Sequence, residues 1–113
     1  ARRSGMRVEL VDNERERLPL PQERELLRIA KEAIANAERH AKASTVVVRW
    51  SSDGRRAELT VSDDGVGIDP DTAPRPDAYG VVGMRERATS IGARLDLTSG
   101  TGKGTTVRVK VGG

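Results

Sequence analysis

The chain has no cysteine and no phenylalanine, and carries one tryptophan and one tyrosine in 113 residues. The lack of cysteine excludes disulfides and thiolate metal sites and is compatible with a reducing cytoplasmic setting. With so few aromatics the core must be built from Val, Leu, Ile and Ala, and a nucleic-acid platform would have almost nothing on which to stack bases. No apolar run approaches the roughly 20 residues that cross a bilayer and nothing reads as a signal peptide, so no membrane contact by this stretch of chain is expected. An excess of one charge is missing too. Twenty Lys and Arg are interspersed with 17 Asp and Glu, for a net charge of +3. That pattern reads as a mixed solvated surface rather than a nucleic-acid footprint. The length fits one domain, 1–113, with a modest core, and a start without Met suggests a domain excised from a longer protein.

What is present has a clear order. Met6, Val8 and Leu10 alternate with polar residues as in a half-buried strand, and Asp12-Asn13 with Pro19 and Pro21 reads as a connection. A helix is predicted from Gln22 to Lys42, with Leu26, Leu27, Ala30, Ala33, Ile34, Ala37 and Ala41 in one apolar stripe. Glu32, Asn36 and His40, four residues apart, run as a polar row along the margin of that stripe. Thr45–Trp50 and Arg56–Ser62 read as strands joined by a hairpin around Asp53-Gly54. Pro70, Pro74 and Pro76 preclude a regular element between Ile68 and Ala78, where a mobile loop is expected. A short helix, Gly83–Ile91, stopped by Gly92, and a final hairpin of Arg94–Thr98 with Thr105–Val111 complete the chain. Two helices cannot cover both faces of five strands. The expected fold class is therefore a two-layer α/β (α+β) sandwich, with helices on one face of a five-stranded, mixed, mostly antiparallel sheet.

The chemistry-bearing segments are Asp63-Asp64-Gly65-Val66-Gly67, Gly80-Val81-Val82-Gly83-Met84-Arg85-Glu86-Arg87 and Gly102-Lys103-Gly104-Thr105. A carboxylate at a strand end beside glycines is either a purine-recognition device or a turn; the Glu32/Asn36/His40 row tips the reading toward a nucleotide site. Together the four motifs, in this order and over about Met6 to Val111, resemble the catalytic ATP-binding domain of sensor histidine kinases. The Gly-Met-Arg-Glu-Arg stretch is similar to the subfamily that signals to response regulators with helix-turn-helix outputs. The fold implied is the Bergerat (GHKL) sandwich, which agrees with the layer argument.

The resemblance implies roles residue by residue. Asp63 would accept a hydrogen bond from the adenine amine, with Gly65 and Gly67 letting the ligand approach. Asn36 would bind Mg²⁺ through its amide oxygen, and Glu32 would act as base or orient the phosphoacceptor. Arg39 and His40 would lie near the phosphates, His40 either in contact with them or structural. Gly80, Gly83 and Met84 would form the phosphate-side end of the lid, and Gly102, Gly104 and Thr105 a last phosphate or lid brace. Asp64 either faces solvent or holds a water; Arg85 and Arg87 either reach phosphates or decorate the helix. Tyr79 could stack near the nucleotide, and Trp50 reads as packing or edge cover. The implied cofactors are ATP and Mg²⁺. The implied partners are a helical dimerisation and phosphoacceptor domain, which is not in this chain, and a downstream response regulator. The implied activity is transfer of the γ-phosphoryl group to a histidine in two-component signalling. Alternatives are an anti-sigma-factor type protein serine kinase and a non-catalytic ATP-responsive interaction module.

Overall fold

The computed structural model describes residues 5–68, 77–100 and 102–112. The elements are β1 (Arg7–Glu16), α1 (Leu20–Arg39), β2 (Thr45–Asp53), β3 (Ala57–Asp63), α2 (Val81–Ser90), β4 (Ala93–Gly100) and β5 (Gly104–Val111). They form one five-stranded sheet in the order β1-β2-β3-β5-β4, parallel only between β1 and β2. Both helices lie on one face. The expected two-layer, mostly antiparallel sandwich is observed. The proline-rich interval predicted to be a mobile loop falls largely at 69–76, outside the described residues.

Strand β1 runs six residues past the expected end at Leu10, because Asp12-Asn13 pairs with Trp50 and Ser51 instead of turning. It is an edge strand, so its side chains escape the apolar alternation that marks a half-buried one: Val8 and Leu10 are 42% and 66% exposed. A register shift between Glu14 and Glu16 precedes the last pair, Glu16 with Asp53.

Helix α1 starts on Pro19, whose carbonyl accepts the N–H groups of Gln22 and Glu23, with Pro21 in the first turn, where no intrahelical N–H is needed. It stops three residues before the predicted end. The Asn36 carbonyl accepts the N–H of both His40 and Ala41, and Lys42 takes a left-handed conformation at φ 52°. That stop was hidden because a lysine, not a glycine, occupies the left-handed position. The buried face is also rotated from the predicted stripe. Ile29 is fully buried while Leu27 is 56% exposed, a shift of about 40° on a wheel of 100° per residue. The rotation turns Asn36 inward, at 5% exposure.

The core is aliphatic, as the composition requires: Leu26, Ile29, Val46, Leu59, Val61, Met84, Val107 and Val109 form its centre. Trp50 packs at its edge, and its indole N–H donates to Glu14 at 2.9 Å. The opposite sheet face is polar, presenting Arg49, Arg94, Arg108 and Lys110.

Candidate functional site

The end of β3 and the start of β5 bring the Asp63 and Thr105 segments side by side. Gly104 has φ 76°, and a Cβ there would collide with the Asp63 carbonyl oxygen; a Cβ on Gly65 would collide with the Ala41 carbonyl oxygen. Three backbones therefore touch at this point, and only glycine permits it. Asp64 is committed to the same junction: its carboxylate accepts the N–H groups of Ser44 and Thr45 at 2.8 and 3.0 Å, which hold it below the usual carboxylate range. Of the two readings of Asp64, the structure gives an exposed backbone clamp.

Asp63 faces inward. A cavity of about 10 Å³ is bounded by its carboxylate, Asn36, Thr105 and the apolar side chains of Val61, Ile68 and Leu97. That volume is close to the lower limit for one water, too small for a planar ligand in this conformation. Burial pushes the Asp63 carboxyl above the ordinary aspartate range; the N–H groups of Gly65 and Thr105 oppose the shift and nearby Asp64 adds to it. A desolvated acceptor at the end of an apolar slot is suited to a neutral donor such as an exocyclic amine.

The raised pKa has a thermodynamic sign. Ionised Asp63 costs folding free energy at neutral pH, and the cost disappears as pH falls through the raised folded value and then below the ordinary value of about 3.9. We expect Asp63→Asn, which keeps an oxygen for Gly65 and Thr105, to raise the ligand-free Tm at pH 7 and to lose that advantage in acid. Thermal melts of both proteins across this range check it.

The polar row on α1 lies beside this slot. The Asn36 Nδ2 group donates to the Tyr79 carbonyl at 2.6 Å, while its Oδ1 is buried with no hydrogen-bond partner among the described residues. The His40 and Tyr79 rings meet edge to face at 4.9 Å. Gly80 sits against Glu32, with φ 65°, and a Cβ there would lie 2.8 Å from the Glu32 carboxyl group. Asp77 closes the segment, accepting the Val82 N–H at 2.9 Å across the start of α2. The row thus meets two residues, Tyr79 and Gly80, at three points. Gly80→Ala should displace Glu32 and strain the left-handed backbone, costing about 1–2 kcal/mol; chemical denaturation measures it. Gly83, by contrast, faces open space.

Other predicted site residues sit as follows. Arg39 is exposed in the last turn of α1. Gly67, at φ 87°, packs on the Gly100 carbonyl, and Gly102 donates its N–H to Val66. Met84 is a core residue, 1% exposed, that also reaches a cleft between the helices. Arg85 donates to the Leu95 carbonyl at 3.2 Å, bracing α2 on β4, and Arg87 reaches Glu25 at 3.5 Å. Sequence reasoning missed Ser99. Its hydroxyl accepts the Ile68 N–H at 2.8 Å and lies 2.9 Å from the Thr105 hydroxyl, so it ties the slot's cover to its rim. A serine in a glycine-rich hairpin carries no signal of that task.

The donor set fits a hard cation in one respect. Asn36 Oδ1 is a neutral oxygen already oriented by its own Nδ2 bond and lacking a donor, which suits Mg²⁺. Among the described residues no group of three or more His, Cys, Asp or Glu surrounds it, so such an ion would draw its remaining ligands from water and from an anionic substrate. A larger concavity, about 560 Å³, lies elsewhere, between Trp50, Leu26 and Leu27, and contains none of these groups.

Comparison with known proteins follows this geometry. The profile of the family described as histidine kinase-, DNA gyrase B-, and HSP90-like ATPase matches residues 22–112. The nitrate/nitrite sensor protein NarX of Escherichia coli is 43% identical over 74 residues, covering 66% of this chain and 12% of NarX. The sensor histidine kinase LiaS of Bacillus subtilis is 41% identical over 86 residues, covering 76% of this chain and 24% of LiaS. The chain thus spans a quarter or less of these relatives. The histidine kinase domain of the Erythrobacter litoralis EL346 blue-light activated histidine kinase superposes with a TM-score of 0.72 at 25% identity, over 96% of this chain and 55% of that one.

Proposed function

The chain belongs to the histidine kinase-, DNA gyrase B- and HSP90-like ATPase family, and from that premise we propose that it binds Mg-ATP and donates the γ-phosphoryl group to a histidine on a helical partner domain. The observation that carries this reading is one cavity lined by two acceptor groups that bind different partners, a hydrogen-bond donor at one and a cation at the other. Asp63 is a desolvated acceptor awaiting a donor, and Asn36 Oδ1 is a buried acceptor without one. Adenine supplies the donor at Asp63, where guanine would present a carbonyl. The α1 row of Glu32 and Asn36 would hold the triphosphate end, and Asn36 Oδ1, oriented by its own Nδ2 bond, would be a ligand for the Mg²⁺. That cation supplies charge neutralisation across the phosphate oxygens.

The chain's own residues then position rather than react. Glu32, held against Gly80, orients the incoming imidazole or takes its ring proton. The imidazole nitrogen forms the new P–N bond, the bond from the γ-phosphorus to the β,γ-bridging oxygen breaks, and ADP leaves. In-line placement and preorganised charge supply the rate. His40, packed on Tyr79, serves the lid segment and is not the acceptor. The chain's named relatives are sensor kinases, which supports a parent containing a dimerisation and phosphoacceptor domain and passing the phosphoryl group to a response regulator. Among the described residues no helix is long and apolar enough to cross a membrane; dependence on ATP places this domain on the cytoplasmic side.

Incubating the chain with γ-labelled ATP and its phosphoacceptor domain tests the proposal. The expected product is an acid-labile, base-stable phosphoramidate. An acid-stable serine ester, or no label at all, would refute it.

A further inference from the structure

Helix α1 carries a second feature that nucleotide binding does not use. At 100° per residue, Arg24, Arg28, Lys31 and Arg39 fall within about 80° of one another, and all four are exposed. Glu32, Asn36 and His40 follow on one side of this stripe, and the core lies beyond them. Two acidic residues of the same helix are engaged elsewhere, Glu23 by Arg17 at 2.6 Å and Glu25 by Arg87 at 3.5 Å, and Glu32 lines the cleft itself. Among the described residues none of the four cations has a carboxylate partner. The stripe opens into a cleft of about 370 Å³ between the helices, lined by Arg28, Lys31, Glu32, Gly80, Gly83 and Arg87.

Geometry joins this surface to the reaction. Glu32 lies against Gly80 and lines this cleft together with Arg28 and Lys31, so an acceptor entering the cleft reaches it. From Arg24 to Arg39 the stripe is about 22 Å long at 1.5 Å per residue, the length of four helical turns. We propose that the stripe is the docking surface for an acidic helical face, with carboxylates flanking the acceptor histidine set against Arg28 and Lys31 and the histidine itself entering beside Glu32. This inference rests on the kinase reading and names the chemistry of its partner. Four cations in one row, without a carboxylate partner among the described residues and beside a cleft that opens onto Glu32, favour a partner of opposite charge. A rim of this kind governs encounter and salt dependence more than chemistry.

The test compares wild-type chain with Arg28→Glu/Lys31→Glu and, as an equal charge change on the distant hairpin, Arg55→Glu/Arg56→Glu. Transfer from ATP to the phosphoacceptor domain is measured as a function of acceptor and salt concentration. For the α1 variant we expect affinity for a non-hydrolysable ATP analogue to be kept, KM for the acceptor to rise about tenfold or more and kcat to change little. Its transfer should also lose the salt sensitivity of wild type. Lysines in place of carboxylates on the acceptor helix should restore KM, and the hairpin variant should match wild type. An unchanged KM in the α1 variant, with wild type active, overturns the docking surface and leaves the kinase reading intact. An inactive wild type removes both. Retention of the chain on duplex DNA through Arg28 and Lys31, with KM unchanged, would make the stripe a nucleic-acid face and overturn the proposal.

Discussion

Alanine at position 36 is expected to reduce phosphoryl transfer at least about a hundredfold, the loss typical of removing one group that stabilises developing charge, while the domain still folds. Two opposing effects keep stability close to wild type. The bond from Nδ2 to the Tyr79 carbonyl is lost, at a typical net cost of about 0.5–1.5 kcal/mol. The buried, unpaired Oδ1 is removed as well, which returns a similar desolvation penalty. Thermal unfolding should therefore move little, and adenine-site binding should persist without Mg²⁺. The Mg²⁺-dependent gain in affinity should vanish. Transfer at the wild-type rate would remove Asn36 from the cation site.

Asp63→Ala should weaken ATP binding by about 1–3 kcal/mol, the cost of a buried hydrogen bond left without its partner, or roughly 5- to 150-fold in Kd. The fold should weaken too, because Gly65 and Thr105 lose the acceptor for their N–H groups. Asp63→Asn separates the two effects. Its oxygen can keep those backbone bonds, and its NH₂ group then points a donor at the base. Adenine, which also presents a donor, loses affinity; guanine, which presents a carbonyl, loses less or gains. Titrating wild type and both variants with ATP and GTP analogues gives the comparison. An unchanged adenine preference in Asp63→Asn would show that the base is read elsewhere.

Local patterns made much of this legible in the sequence. The layered fold followed from two helices and five strands, and Asp53-Gly54 gave its hairpin at the expected place. Gly92 stopped α2 as read. Legibility failed where tertiary context sets the outcome. Nothing local shows that β1 continues through Asp12-Asn13, because its partner, β2, comes some thirty residues later. Lys42 in a left-handed turn carries no stop signal. The 40° rotation of α1, which buries Ile29 and Asn36 and exposes Leu27, depends on α2 and residues 77–80 packing along one flank.

The site divides the same way. The roles expected of Asp63 and Asn36 came from the family resemblance of their motifs; residue type and spacing pointed only to a nucleotide site. The backbone contacts that demand glycine at 65 and 104, the Ser99 tie and the Tyr79 carbonyl that orients Asn36 are products of chain proximity. Residue type alone left Arg85 and Arg87 equivalent, and the sheet separates them: one braces β4, the other bridges the helices.

Calorimetric titration of the chain with a non-hydrolysable ATP analogue, with and without Mg²⁺ and against its GTP counterpart, tests the nucleotide site most directly. Saturable binding that prefers adenine and tightens with Mg²⁺ is the expected result. Equal binding of both nucleotides, or indifference to Mg²⁺, would contradict the roles given to Asp63 and Asn36.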